Sequence, residues 1–174
     1  MELTLYTDRL ILRPWDINDA EDMFYGWAND PEVTKYMTWN PHQNIDETKW
    51  IINKWIEEYE DPKRLNFAIV LKENNKLIGG IDIPNYRNGI PVIGYDLSRK
   101  YWNNGYMTEA CKCLINYLFS IGYNEVIIDA EVENIASNRV IEKCGGIYVN
   151  TEIRDVPLKG TKVKVNNYII RNNK

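Results

Sequence analysis

One stretch of this sequence admits a single backbone conformation. Met107, Ala110, Cys111, Leu114, Ile115, Leu118 and Ile121 recur at the three- and four-residue spacing of one helical face. Gly122 follows at the position where a helix closes in the left-handed conformation. The segments ahead of it carry a different period. Asn66 to Leu71, Leu77 to Ile83 and Ile90 to Leu97 are strand-like runs. Glu73-Asn74-Asn75, Pro84-Asn85 and Asn88-Gly89 break them as turns would, which predicts an antiparallel meander feeding the helix. After the helix, Glu125 to Val132 reads as a strand and Ile135 to Cys144 as a helix stopped by Gly145-Gly146. Tyr148 to Ile153 and Lys162 to Ile170 make a final pair of strands. Upstream, Leu10 to Pro14 is a short strand closed by proline. Asp16 with Asp19 forms an acidic capping box for a helix carrying Ile17, Ala20, Phe24, Trp27 and Ala28, ended by Asn29-Asp30-Pro31. Glu32 to Met37 adds a turn or two. Asp46 caps a second helix with Ile52, Trp55, Ile56 and Tyr59 on one face, stopped by Asp61-Pro62. The order predicts an α/β fold: a mixed sheet with helices on both faces.

The chain's 174 residues fit one domain over 1–174, and 44% hydrophobic residues suffice for a core. A formal net charge of −4 argues against a phosphate-neutralising nucleic-acid binder and suits a neutral or cationic partner. His42 is the single histidine, which excludes catalysis by a histidine pair and a multi-histidine metal site. Cys111, Cys113 and Cys144 are odd in number and lack paired spacing, as expected of buried, reduced thiols. Met1 to Arg13 carries Glu2, Asp8 and Arg9 and no apolar core of a signal peptide, and no apolar run reaches membrane-spanning length. These features predict a cytoplasmic protein with no membrane partner.

Two segments carry chemistry. Tyr101-Trp102-Asn103-Asn104-Gly105-Tyr106-Met107-Thr108-Glu109-Ala110 joins a strand to the strongest helix. Amides at a helix N-terminus lack partners and favour an anion, and Gly105 permits close backbone approach. An ordinary strand-to-helix turn explains the same residues. The second segment is Glu133-Asn134-Ile135-Ala136-Ser137-Asn138-Arg139-Val140-Ile141-Glu142-Lys143-Cys144-Gly145-Gly146. Asn134 there is either a plain N-cap or, with Ser137 and Asn138, a polar lip facing a crevice at a strand end.

Taken together and in this order, the two segments resemble the GNAT superfamily of acetyl-CoA-dependent N-acetyltransferases, in its RimJ/RimL-like branch. Thr7 to Arg13 resembles that branch's opening strand and Ile93-Gly94-Tyr95-Asp96-Leu97 its central strand. The resemblance implies a splayed, mostly antiparallel sheet. It also implies coenzyme contacts at Tyr95, Leu97, Trp102, Asn103, Asn104, Gly105, Tyr106, Met107, Thr108, Asn134 and Ser137, and no metal. The family's loop motif is Gln/Arg-x-x-Gly-x-Gly/Ala, occupied here by Trp102, Gly105 and Met107. Met107 is bulkier than the usual small residue, and Asn103 replaces a glycine common in this branch, so weaker coenzyme binding is expected.

The implied reaction is direct attack of a primary amine on the acetyl thioester through a tetrahedral intermediate. It needs an oxyanion donor, a proton acceptor and an acid for the departing thiolate. Backbone N–H groups near Leu97 are expected to serve the oxyanion. Many members use a late-helix tyrosine as the acid, but Ile141 stands at that position. RimL-like members are assigned a serine in this region, and Ser137 matches its place in the motif. The resemblance therefore implies Ser137 as the donor, with a hydrogen bond to coenzyme or helix capping as its alternatives. Asp96, on the face opposite Tyr95, is the expected proton acceptor, with a hydrogen-bonded structural aspartate as the alternative. Asp129, Glu131 and Glu133 alternate as a solvated row or as the hold for a cationic substrate. His42 is expected in a surface loop, Trp55 in the core and Trp39 near the acceptor. The acceptor is expected to be a protein N-terminal α-amine, with polyamine or aminoglycoside amines, or a non-catalytic acyl-CoA-binding module, as alternatives. Either a monomer or a homodimer is compatible.

Overall fold

In the computed structural model, which describes residues 3–172, the chain opens with β1 (Leu5–Tyr6) and β2 (Leu10–Arg13). Met1 and Glu2, part of the N-terminal stretch considered above, lie outside the described residues. Then come α1 (Ala20–Met23), α2 (Pro31–Thr34), α3 (Ile45–Glu58), β3 (Asn66–Leu71), β4 (Leu77–Arg87) and β5 (Ile90–Leu97). The second half supplies α4 (Tyr106–Ser120), β6 (Glu125–Glu131), α5 (Ile135–Lys143), β7 (Ile147–Val156) and β8 (Thr161–Arg171). The strands form one eight-stranded sheet in the order β1-β2-β3-β4-β5-β6-β8-β7. Every neighbouring pair is antiparallel except β5 and β6.

Alternation along the strands divides the core between the two faces. On one, α4 and α5 bury Leu114, Leu118 and Ile141 against Leu12, Phe67, Ile81 and Ile128. On the other, Trp15, Met23, Trp27 and Ile52 pack over Ala68 and Val70. Gly122 closes α4 at φ 105°, as its place in the sequence predicts. No helix among the described residues is long and apolar enough to cross a membrane.

Three local expectations change, and one short strand is added. Asn44, not Asp46, caps α3, its Oδ1 accepting the Glu47 N–H at 3.1 Å; Asp46 lies in the first turn, where the helix dipole favours a carboxylate. Pro84-Asn85 does not end β4: the register shifts between Asp82 and Asn85, and proline, having no N–H to pair, is accommodated at this bulge. The first helix is not uniform. Its capping box starts a 3₁₀ turn at Ile17–Asp19, and beyond α1 the chain widens into a π turn, Phe24–Ala28. That turn directs Trp27 and Ala28 inward, and the Gly26 carbonyl accepts the Ser98 hydroxyl at 2.9 Å. Finally, β1 is a two-residue strand, too short to show any period.

Leu114 is fully buried between α4 and the sheet. Leu114→Ala is expected to cost about 2–5 kcal/mol, read as a lower urea midpoint with an unchanged slope.

Candidate active site

The one parallel pair sets the site's geometry. β5 and β6 are in register only at Val92–Ile127 and Ile93–Ile128, after which β5 runs on to Leu97 and β6 to Glu131 without pairing. Tyr95 and Leu97 pack toward α4 and α5, so Asp96 between them faces the other side. The Tyr95 hydroxyl lies 2.7 Å from Ser137 Oγ and joins β5 to the first turn of α5 across the opening. Burial pushes the Tyr95 phenol well above its usual range, with the Ser137 bond acting in the opposite direction. The Ser137 N–H is held by Asn134 Oδ1 at 3.1 Å, so Asn134 is the N-cap of α5.

The segment between β5 and α4 is a backbone cradle. Asn103 at φ 61° and Gly105 at φ 78° both take the left-handed conformation. α4 starts at Tyr106 with no side-chain cap. Among the described residues, the N–H groups of Asn103, Asn104, Gly105, Tyr106, Met107 and Thr108 find no acceptor. Trp102 does not extend toward them: its indole N–H bonds the Leu97 carbonyl at 2.8 Å. The Asn104 side chain braces the turn through the Trp102 carbonyl at 2.8 Å.

A clasp holds this cradle. Glu109, in the first turn of α4, accepts the Thr7 hydroxyl at 2.5 Å, the Arg9 N–H at 2.9 Å and the Arg9 guanidinium at 2.7 Å. Arg9 also reaches the Asn104 carbonyl at 3.1 Å and lies 4.5 Å from the centre of the Tyr106 ring. Burial acts to raise the Glu109 pKa, but these donors together hold it below its ordinary value. Thr7, Arg9 and Glu109 have no local signal as a group, because their contact spans about a hundred residues.

On the opposite face, Asp96 Oδ1 accepts the Gly80 N–H at 3.0 Å. The buried Trp27 indole N–H is turned toward the same carboxylate and favours its charge, yet closes no hydrogen bond of ordinary geometry. Burial dominates and pushes the Asp96 pKa up to about 7. The hairpin joining β7 and β8 is tied to α2 and the segment that follows it. Lys159 donates to the Thr34 and Lys35 carbonyls at 2.6 and 2.8 Å, and Asn40 donates to the Leu158 carbonyl at 2.9 Å.

Several sequence expectations are corrected. Met107 is buried in the α4 face of the core, so its bulk points away from the cradle while its N–H stays there. Asn138 faces no crevice: it is buried, donating to the Glu131 and Asn134 carbonyls and accepting from Asn166 and Tyr168. Asp129, Glu131 and Glu133 are not one solvated row, because the Asp129 side chain is only 9% exposed and is held by Arg87 and Arg154. His42 is half-buried, its Nδ1 2.7 Å from the Thr48 hydroxyl, and burial lowers its pKa. All three cysteines are free, but only Cys111 is fully buried. Ile141 is fully buried, which leaves Tyr95 as the tyrosine at the opening. Trp39 is partly buried against the α1–α3 core and beside His42, and Trp55 packs on Trp15.

A domain model described as "Acetyltransferase (GNAT) domain" matches residues 9–147, most of the chain and both motif segments. The chain belongs to the GNAT family of acetyltransferases. It is 36% identical over 141 residues to an N-acetyltransferase of Bacillus licheniformis, p20, covering 79% of each chain. YoaA, an N-acetyltransferase of Bacillus subtilis, is 31% identical over 144 residues, 81% of each. A GNAT acetyltransferase structure from Bacillus anthracis superposes with a TM-score of 0.86 at 25% identity, covering 99% of this chain and 100% of that one. RimL, a ribosomal L7/L12 alpha-N-protein acetyltransferase solved in complex with coenzyme A, superposes at 0.85 with 19% identity, covering 97% and 98%.

With Glu109 depressed in the fold, its stabilisation is complete above the ordinary glutamate value of 4.5 and disappears as pH falls through the folded value. Glu109→Gln is expected to lower stability by about 1 kcal/mol at neutral pH, since Arg9 is half exposed. The difference between wild type and variant should vanish in acid, read from urea midpoints across the pH range.

Proposed function

We propose that residues 1–174 act as one acetyltransferase domain moving the acetyl group of acetyl-CoA to a primary amine at the end of a slender chain, a protein N-terminal α-amine first. The observation that carries this is the Tyr95–Ser137 hydroxyl pair at 2.7 Å, set between a cradle of free amides and a carboxylate on the other face. The cradle fits a pyrophosphate: consecutive uncommitted N–H groups at the N-terminus of a long helix, with Gly105 leaving the approach open. The unpaired edge of β5 beyond Ile93 fits an extended amide-bearing arm, which would complete hydrogen bonds the strand leaves open. Bound there, acetyl-CoA supplies an activated thioester.

The chain's own groups divide the remaining work. Asp96 takes a proton from the amine, and burial poises it near neutral pH, where a general base is most effective. Amides near Leu97 receive the oxyanion. Ser137, hydrogen-bonded to the high-pKa Tyr95, donates a proton to the leaving thiolate, a part the buried Ile141 side chain lacks the chemistry to play. The Lys159–Thr34 bridge ties the β7–β8 hairpin to α2, and an acceptor entering beside that tie would be a slender chain end more readily than a side chain on a folded surface. The same entry accommodates polyamine or aminoglycoside amines. Of the three residues that favour a non-catalytic module, Met107, Asn103 and Ile141, the first is buried in the core and its side chain is away from the cradle, which supports the catalytic reading.

Thiol release from acetyl-CoA, measured against a panel of N-terminal peptides, polyamines and aminoglycosides, tests the proposal; no release on any amine overturns it. Tyr95→Phe and Ser137→Ala are each expected to lower kcat by about 10²-fold with the acetyl-CoA KM little changed. kcat/KM in wild type should rise with pH through about 7 as Asp96 ionises, and Asp96→Asn should remove that limb.

A further inference from the structure

A second carboxylate lies beside Asp96 that nothing in the proposed chemistry uses. In the β4–β5 ladder, Gly80 stands opposite Asp96 and Gly94 opposite Asp82, so the two aspartates are diagonal neighbours on one face. Each leans over the glycine facing it. Asp96 Oδ1 lies 3.3 Å from where a Gly80 Cβ would stand, and Asp82 Oδ1 lies 2.8 Å from where a Gly94 Cβ would stand. Glycine at both cross-strand positions lets each carboxylate lean inward, with Trp15 and Pro84 as the other side chains against those glycines, and Asp96 is near enough for its charge to act on Asp82.

Asp82 opens into a pocket that Asp96 does not line. It lines a half-open pocket of about 180 Å³ with Lys54, Trp55, Glu58, Arg64 and Asn66, on the side of the sheet covered by α3. Asp96 is not among the residues bounding that pocket. Asp82 thus adjoins both the Asp96 carboxylate and that pocket.

We infer that Asp82 is the second station of a proton route, receiving the proton that Asp96 takes from the amine and releasing it into the pocket under α3. The inference rests on the acetyl transfer proposed above. The proton balance requires such an exit. An ammonium acceptor loses one proton to become nucleophilic. After the C–N bond forms and the C–S bond breaks, the amide nitrogen loses a second, and one proton returns to the thiolate. One proton per turnover must leave the site.

The electrostatics agree with this geometry. Burial first, and the neighbouring Asp96 charge second, push Asp82 up to about 8, against about 7 for Asp96. Arg64 opposes the rise and Glu58 on α3 adds to it; Lys54 and Tyr59 are the other titratable groups on that helix facing Asp82 or its pocket. The pair therefore exchanges a proton across the neutral range rather than holding two fixed charges.

Asp82→Asn separates this role from packing. The expected result is a kcat at least tenfold lower and KM values for both substrates unchanged. One ionisation should disappear from the kcat–pH profile, and the solvent deuterium isotope effect should become larger; Asp82→Glu should recover part of the rate. An Asp82→Asn enzyme with wild-type kcat, pH profile and isotope effect overturns the route while leaving acetyl transfer intact. A wild type that acetylates no amine overturns both. Should Asp82→Asn fail to fold by circular dichroism, ¹³C titration of the aspartate carboxyls in wild type decides. Two coupled transitions in the neutral range support the route, and transitions of both aspartates in the ordinary acidic range overturn it.

Discussion

The parting of two parallel strands is the constraint on which the rest of this structure depends. A parallel pair needs both edges satisfied, and here β5 and β6 satisfy each other over only two residue pairs. Beyond Ile93, β5 presents an open edge in the middle of an otherwise continuous sheet. Such an edge is stable only if covered or used. α4 and α5 flank it on one face, α1 and the π turn approach on the other, and the Tyr95–Ser137 contact ties its two lips together. The site is thus a break in pairing that the surrounding helices keep from closing.

The two faces of the break have different chemistry for a simple geometric reason. Successive residues of β5 alternate, so Tyr95 and Leu97 meet the α4–α5 side while Asp96 meets the α1–α3 side. Neutral hydroxyls and free amides occupy one face, and carboxylates shifted upward by burial occupy the other. Tyr95, which holds Ser137, and Asp96 are sequence neighbours, yet their side chains meet opposite faces of the sheet.

Much of the fold was legible because its signals are local. The α4 periodicity, the Gly122 stop, the Asn134 cap and the three-strand meander each depend on residues within a few positions of one another. The cradle was legible for the same reason, since the left-handed turns at Asn103 and Gly105 belong to one loop. What escaped has a common physical cause. The π turn, the β4 bulge at Pro84 and the inward turn of Asn138 each follow from tertiary packing overriding a reasonable local preference. Met107 is the clearest instance: read as a loop residue it obstructs a ligand, whereas as the second residue of α4 it fills the core.

By itself, the sequence determined which elements form, the order in which they follow and the place where a helix would begin with free amides. Periodicity, caps and turns are short-range properties, so one strand of text suffices for them. Only the tertiary structure decided which distant residues meet. Strand register put Asp82 diagonal to Asp96 with glycine opposite each. Helix docking brought Ser137 to Tyr95 and Glu109 to Thr7 and Arg9. Those contacts bridge between fourteen and about a hundred residues of chain. A single residue's slip in pairing would turn each carboxylate to the other face, so no local pattern could have specified them.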